Sequence, residues 1–367
     1  MDNTNSGLTK NIKRKHLEQL ADYRINTLRP NAELRTLFIE MTTHCNEHCR
    51  HCGSNCGDVR EAGALTGEEI KSFLAKLKVE YGRPIGQLKL SITGGEPLLR
   101  PDFFDIMDYA HRLGYQWGMT SNGLLITPEA AHRLRLTGMR TVSISLDGLK
   151  DSHEWFRQVP GSYERTLTGI KNLLAEGGFD HVQITTVVNH RNYGELEAMY
   201  EEFSKIGVRS WRVINIEPIG RAKGDPELML TPDEYRGMFE FIASHRFKGP
   251  MEVCYGCSHF LGIETEREVR KWYFLCNAGV YTASVGYNGD ILACLDIERR
   301  PELVQGNIRQ DDIMEVWRDK FSIFRTDYRK TGPCAECEHY RYCAGDAFHT
   351  WNFDEMRPDL CMKGILF

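Results

Sequence analysis

The chain predicts an α/β fold, a parallel sheet with crossover helices, followed by a small cysteine-rich C-terminal region. Two observations carry this. Short apolar, β-branched runs alternate with amphipathic segments through the middle of the 367 residues, the pattern of repeated βαβ units. The twelve cysteines gather at two places: Cys45 to Cys56 hold four, none falls between Asp58 and Val253, and eight follow from Cys254 onward.

The strand-like runs are 37–43, 87–93, 116–121, 141–147, 181–188 and 210–218, each bounded by turn residues. Amphipathic segments at 66–80, 101–113, 128–136, 162–176 and 194–206 alternate with them. On the first, Leu74, Leu77 and Val79 read as neighbouring apolar positions. Pro101 and Pro128 suit the first turn of a helix, where a missing N–H costs little. Pattern alone leaves two architectures open, a partial barrel and a doubly wound open sheet. In a parallel barrel the chemistry gathers at the C-terminal ends of the strands.

Composition excludes several classes. Hydrophobic content of 41% and charged content of 26% are those of an ordinary globular protein. A net charge of −5 offers no basic footprint, so nucleic acid is not expected as a partner. No apolar run approaches the roughly 18 residues of a membrane span, and residues 1–10 are polar, without a signal-peptide core. A cytoplasmic protein with no membrane partner is expected. Cysteine is about 3% of the chain, below the roughly 8–10% of a disulfide scaffold. In a reducing compartment such cysteines read as metal ligands.

Just after the first strand-like run stands His44-Cys45-Asn-Glu-His-Cys49-Arg-His-Cys52, with the spacing C-x3-C-x2-C. Three thiolates on one short loop can hold three irons of a 4Fe–4S cubane, which normally takes four cysteines. The open position that remains marks a catalytic metal centre. A zinc site with His48 or His51 as fourth ligand is the competing reading. The spacing and its place after the first strand resemble the signature of the radical SAM superfamily. That resemblance implies a partial (β/α)6 TIM-like barrel. It also implies that the free iron binds S-adenosylmethionine and that reductive cleavage yields a 5′-deoxyadenosyl radical, which abstracts hydrogen from substrate. Segment 11–29 then reads as a basic amphipathic helix packed against the barrel.

The strand ends agree with the resemblance. Gly94-Gly95-Glu96 closes the second strand. Its glycines allow close backbone approach to a ligand, and it is similar to the family segment that binds the amino group of S-adenosylmethionine. Thr120-Ser121-Asn122-Gly123 and Ser143-Ile144-Ser145-Leu146-Asp147-Gly148 resemble segments that meet its ribose and carboxylate. Ser121, Asn122, Ser145 and Asp147 are therefore candidate contacts, although Asn-Gly and Asp-Gly turns need no ligand. Arg157 can clamp a carboxylate or be a solvated helix residue. Asn189 ends the fifth strand, Glu217 to Ala222 end the sixth, and His51 is expected at the adenine.

Cys276, Gly289 and Cys294 stand as C-x12-G-x4-C, and Cys334, Cys337, Cys343 and Cys361 follow. This resembles the SPASM extension, which carries two auxiliary 4Fe–4S clusters. One departure stands out: the family's next cysteine falls at position 347, which here is Ala347. Cys254 and Cys257 form an additional C-x2-C pair. The expected partition is three clusters: Cys45, Cys49 and Cys52; Cys254, Cys257, Cys276 and Cys294; Cys334, Cys337, Cys343 and Cys361. Asp346 as an oxygen ligand, an open iron, or a pair of zinc knuckles are alternatives. The expected division is 1–34 helical extension, 35–225 barrel, 226–275 bridge and 276–367 SPASM domain.

Auxiliary clusters make sense where a substrate radical must lose an electron, and a carboxylate can take the accompanying proton. Asp296 is the candidate base. The odd thiol, Cys56, is a small buried side chain or a hydrogen donor. The resemblance implies an oxidoreductase that modifies a ribosomally made precursor peptide, forming a cross-link or another oxidised product. A peptide epimerase using Cys56, a sulfatase-type formylglycine maturase, a small-molecule dehydrogenase and a non-catalytic iron–sulfur or zinc protein are the alternatives. Expected partners are the precursor peptide, an electron donor such as flavodoxin or ferredoxin, and a separate peptide-recognition protein or a leader site elsewhere on the chain.

Overall fold

A computed structural model describes residues 3–58, 62–256 and 258–367. Seven strands lie side by side and parallel in chain order: β1 (Thr36–Glu40), β2 (Lys89–Thr93), β3 (Gln116–Ser121), β4 (Met139–Ser145), β5 (His181–Val188), β6 (Ser210–Asn215) and β7 (Glu252–Tyr255). The free edge of β1 is extended by β8 (Thr282–Val285), also parallel, and then by antiparallel β9 (Asp290–Leu292) and β10 (Gly306–Asn307). The parallel sheet thus runs past residue 225, where the sequence placed the end of the barrel, and takes in both the bridge and the cysteine-rich region.

Helix α1 (Asn3–Tyr23) precedes β1, and helices fill the crossovers: α2 (Gly67–Glu80), α3 (Phe103–Leu113), α4 (Pro128–Leu136), α5 (Lys150–Arg157), α6 (Ser162–Glu176), α7 (Leu196–Ile206), α8 (Pro232–His245) and α9 (Gly262–Val269). Their starts are written locally. Thr66 and Glu69 form a reciprocal capping box at α2, and Thr231 and Glu234 another at α8. Thr127 caps α4 with Pro128 at its first position. On α2, Leu74 and Leu77 are buried, but Val79 is 83% exposed. It lies two residues past Leu77, on the far side of the helix.

Strand alternation divides the sheet into two faces. Leu37, Ile39, Leu90, Ile144, Trp211 and Val213 point outward and are buried under the helices. Trp211 meets Phe203 of α7 and Phe241 of α8 edge-on, with ring centres at 5.1 and 5.7 Å. Each such buried side chain contributes about 1.5–3 kcal/mol. The other face lines the lumen and is more polar: Ser91, Ser143, Ser145, Thr185 and Arg212 point there.

The N-terminal helix does not sit against the barrel as expected. It packs on α9 and on the short helix Tyr340–Cys343. Arg341 pairs with Asp22, Lys13 with Glu268, and buried Arg24 donates to the carbonyls of Tyr342 and Phe274. No helix among the described residues is long and apolar enough to cross a membrane.

Candidate active site

The first three thiols stand on a loop that leaves β1 and is closed on itself. Cys45 N–H donates to Gly57 O at 2.8 Å, and Gly57 N–H donates back to Thr43 O at 3.2 Å. The C-terminal end of α5 holds the middle of the loop: His48 and Arg50 donate to the carbonyls of Arg157 and Phe156. Burial pushes the Cys45 thiol up to about 12 and raises Cys49 further. Cys52 is instead lowered to about 5, because Cys56 donates a hydrogen bond to it. Cys56 is only 3% exposed, with its thiol turned to Cys52.

The Gly94–Glu96 turn presses directly on this loop. Gly95 N–H donates to Thr42 O at 2.7 Å and Glu96 N–H to His44 O at 2.9 Å. A Cβ on Gly94 would stand 2.4 Å from Thr42 O, and one on Gly95 would stand 2.2 Å from His44 O and 3.0 Å from the Cys45 Cβ. Only glycine permits that approach. The Glu96 carboxylate is fully buried and accepts from Ser121 Oγ at 2.9 Å and Asn122 N–H at 2.8 Å. Burial pushes it up to about 7, against those hydrogen bonds. Asn122 Nδ2 donates to Asn46 Oδ1 at 2.7 Å. Glu96, Ser121 and Asn122 are thus one network joined to the cysteine loop.

Arg157 is buried, contrary to the solvated alternative. It lies between two buried carboxylates, with Nε to Asp147 Oδ2 at 2.7 Å and Nη1 to Glu47 Oε2 at 3.3 Å, and it donates to Cys49 Sγ at 3.5 Å. The other Asp147 oxygen accepts from Val187 N–H at 2.7 Å. Asp147 and Arg157 therefore brace β4, β5 and the cysteine loop with one another. Asn189 closes a turn, accepting from Arg191 N–H at 3.0 Å and donating to Val187 O at 3.3 Å. Ser145 faces the lumen at the end of β4. His51 stacks on Phe156 at 4.1 Å.

A second buried constellation has no signal in the sequence. His259 Nδ1 lies 2.6 Å from Asp346 Oδ2, and Nε2 lies 2.8 Å from Glu217 Oε1. The other Asp346 oxygen accepts from Phe260 N–H at 2.8 Å, so this carboxylate is turned toward the bridge segment. Burial alone would keep His259 neutral, but the two carboxylates outweigh it and raise the imidazole to about 10. This link joins the end of β6, the bridge and the C-terminal domain.

Among the later cysteines, Cys361 lies near Cys334, Cys337 and Cys343, and Cys334 lies near Cys337. Cys276, Cys337 and Cys343 line one cavity of about 540 Å³ together with Arg24 and Arg329. Ala347 belongs to a small buried cluster with Leu17, Phe260 and Phe274, against which Cys276 and Cys343 pack. Cys294 follows β9, with Asp296 Oδ2 3.9 Å from its sulfur. Asp296 is exposed. The groups acting most strongly on Cys254 are Glu252, Arg212, Lys271 and Arg246, none of them a thiol. Alternation along β7 buries Val253 and Tyr255 on the helix side and sends Cys254 to the lumen. Cys254 stands in register with Arg212, and Cys257 lies outside the described residues.

The early loop suits the cofactor that its motif implies. The early loop offers a sulfur donor set beside a turn with no room for side chains. His51 Nδ1 and Glu47 Oε1 are buried there without a protein partner, leaving polar atoms for a ligand. Sequence reasoning passed over Asn46, Glu47 and His259. The first two lie inside the cysteine motif, so their position was itself a signal.

Comparison with known proteins agrees. Residues 39–203 match the radical SAM superfamily model, and residues 276–338 match the SPASM iron–sulfur cluster-binding domain. The chain is 30% identical over 328 residues to an AdoMet-dependent heme synthase of Methanosarcina barkeri, covering 85% of this chain and 90% of that one. It is 31% identical over 316 residues to the mycofactocin maturase MftC of Mycobacterium tuberculosis, covering 83% and 76%. Streptococcus suis SuiB bound to S-adenosylmethionine shares the fold, with a TM-score of 0.69 at 18% identity over 91% of this chain and 77% of that one. The chain belongs to the radical SAM superfamily and carries a C-terminal SPASM domain.

Proposed function

We propose that this enzyme oxidises a ribosomally made precursor peptide, forming a cross-link or another product two hydrogens lighter. The observation that carries the oxidative part is the pairing of β8 with β1. It seats the domain of the later thiols on the edge of the barrel whose first strand leads into the catalytic loop. An electron acceptor held there would stand at the barrel edge next to the strand that leads into that loop. When bound, the cluster and S-adenosylmethionine supply the radical that takes one hydrogen atom. The protein must then accept a proton, and exposed Asp296 beside Cys294 is the proposed acceptor. Glu96, Ser121, Asn122 and Ser145 are the proposed S-adenosylmethionine contacts, with His51 at the adenine.

Cys45, Cys49 and Cys52 are the proposed ligands of the catalytic cluster. Cys334, Cys337, Cys343 and Cys361 are those of one auxiliary cluster, and Cys276 and Cys294 belong to a third. An epimerase would need the Cys56 thiol to face substrate, whereas it is engaged with Cys52. The peptide substrate rests on the maturase relative. A second reading, a carboxylated tetrapyrrole, is favoured by the heme synthase relatives, whose length the chain spans more fully.

Anaerobic co-expression with a short peptide encoded beside the gene, followed by mass spectrometry, tests the choice. Loss of two hydrogens from the peptide supports the first reading. An unchanged peptide, together with heme formed from a carboxylated tetrapyrrole precursor and read by absorption, replaces it with the second.

A further inference from the structure

Arg212 is the third residue of β6 and is flanked by Trp211 and Val213, both fully buried under the helices. Its own side chain therefore enters the lumen. It stands in register with Thr185 of β5 and Cys254 of β7, and Thr185 is in register with Ser145 of β4. These residues form one layer of the lumen wall, at the level of a proposed cofactor contact. The guanidinium uses Nε on Thr185 Oγ1 at 3.1 Å and Nη2 on Ser143 Oγ at 3.3 Å. Those two hydroxyls are joined to each other at 2.5 Å. Among the described residues no carboxylate lies within ion-pair reach of Arg212.

The buried Arg24, Arg246 and Arg329 are likewise without a carboxylate partner among the described residues, but they donate to main-chain carbonyls, where Arg212 has two hydroxyls. Arg157 has Asp147 and Glu47, Arg100 has Asp102, Arg270 has Glu266, and Arg299 has Glu40. Glu252, on the neighbouring strand, is held by Lys271 at 2.7 Å. A cation removed from bulk water is ordinarily paired. The two neutral hydroxyls fix the plane of the Arg212 guanidinium without neutralising it. Among the described residues neither of these bonds uses Nη1, and the Nη1–Nη2 edge of a guanidinium is one that a carboxylate accepts with two parallel hydrogen bonds.

We propose that Arg212, oriented by Ser143 and Thr185, binds a carboxylate of the substrate inside the barrel. The substrate class is thereby narrowed to one carrying a carboxylate near the carbon that reacts. This rests on the reading of the lumen as the substrate chamber, and it holds for a peptide and for a tetrapyrrole alike. The S-adenosylmethionine carboxylate is the other source of the same chemistry, so the test must separate the two.

Phenylglyoxal modification of the anaerobically reconstituted enzyme, read at Arg212 by peptide mass spectrometry, does so without knowledge of the true substrate. With S-adenosylmethionine bound, saturating propionate is expected to slow modification of Arg212 by about tenfold, the effect of one charge-assisted pair. Propionamide is expected to leave it unchanged. Equal protection by propionamide, or none by propionate, overturns the proposal. Protection by S-adenosylmethionine alone overturns it by giving the carboxylate to the cofactor. An Arg212 that the reagent never reaches overturns it too, since no substrate group would reach it either. None of these outcomes depends on which product the enzyme makes, so a failure here is distinct from a failure of the peptide reading.

Discussion

The two thiol regions are built in opposite ways. The catalytic loop takes its cysteines from eight consecutive residues, Cys45 to Cys52, and fixes them with backbone hydrogen bonds from its own closure and from α5. The C-terminal group draws Cys276, Cys294 and Cys334 to Cys361 from distant points on short, irregular elements. It is held by buried cations such as Arg24 and Arg329, which donate to carbonyls. A local motif carries its own geometry. A dispersed one borrows geometry from the packing of the whole domain. The first should tolerate damage to the second, but not the reverse.

The largest expected effect tests that asymmetry. Replacing Cys45, Cys49 and Cys52 together by alanine should abolish 5′-deoxyadenosine formation, measured after anaerobic reduction. Replacing Cys334 and Cys337 by alanine should leave 5′-deoxyadenosine within the same order of magnitude while substrate product disappears. Equal loss of both signals in the second variant would mean that the two regions form a single cooperative unit.

His259 is where the regions meet. His259→Ala leaves Glu217 and Asp346 buried without their shared cation, so unfolding in urea should show a loss of about 3–5 kcal/mol. The pH dependence has a definite sign. The folded imidazole is raised to about 10, above its unfolded value near 6.5. Its contribution is therefore complete below about pH 6.5, declines as pH rises, and is gone above about pH 10. Stability of the parent protein should fall across that window, and the fall should be smaller in His259→Ala. An identical pH profile in both would show that the pairing carries no net charge stabilisation.

Gly95→Ala should act on the catalytic side alone. The added methyl would stand 2.2 Å from His44 O and 3.0 Å from the Cys45 Cβ, so the cysteine loop must move. A stability cost of about 1–3 kcal/mol is expected, with weaker S-adenosylmethionine binding by calorimetry. Binding unchanged from the parent would separate the turn from the cofactor site.

What could be read from the sequence follows the same divide. The strands, the crossover helices and the early cysteine motif were legible because each is written in nearby residues. His259 was not, because its partners lie 42 and 87 residues away, and a lone histidine in an unassigned stretch carries no period or spacing. Arg157 looked the same whether solvated or buried until Asp147 and Glu47 were placed around it. Cys254 is the opposite case: its C-x2-C spacing was legible, but its place in register with Arg212 follows only from the strand pairing of β7.

The smallest effect concerns the bridge, where α8 was unassigned from sequence although its start signal was present. Thr231 Oγ1 accepts from Glu234 N–H at 3.3 Å, and Glu234 Oε2 accepts from Thr231 N–H at 2.8 Å. Thr231→Ala removes the hydroxyl half of this box and should cost about 1 kcal/mol. The helix packs Phe241 against Trp211 on the outer face of β6, opposite Arg212. A cap lost there should lower the urea midpoint without altering 5′-deoxyadenosine yield or product. Product that falls while stability holds would instead mean that α8 sets the position of β6, and that the outer wall tunes where Arg212 meets its ligand.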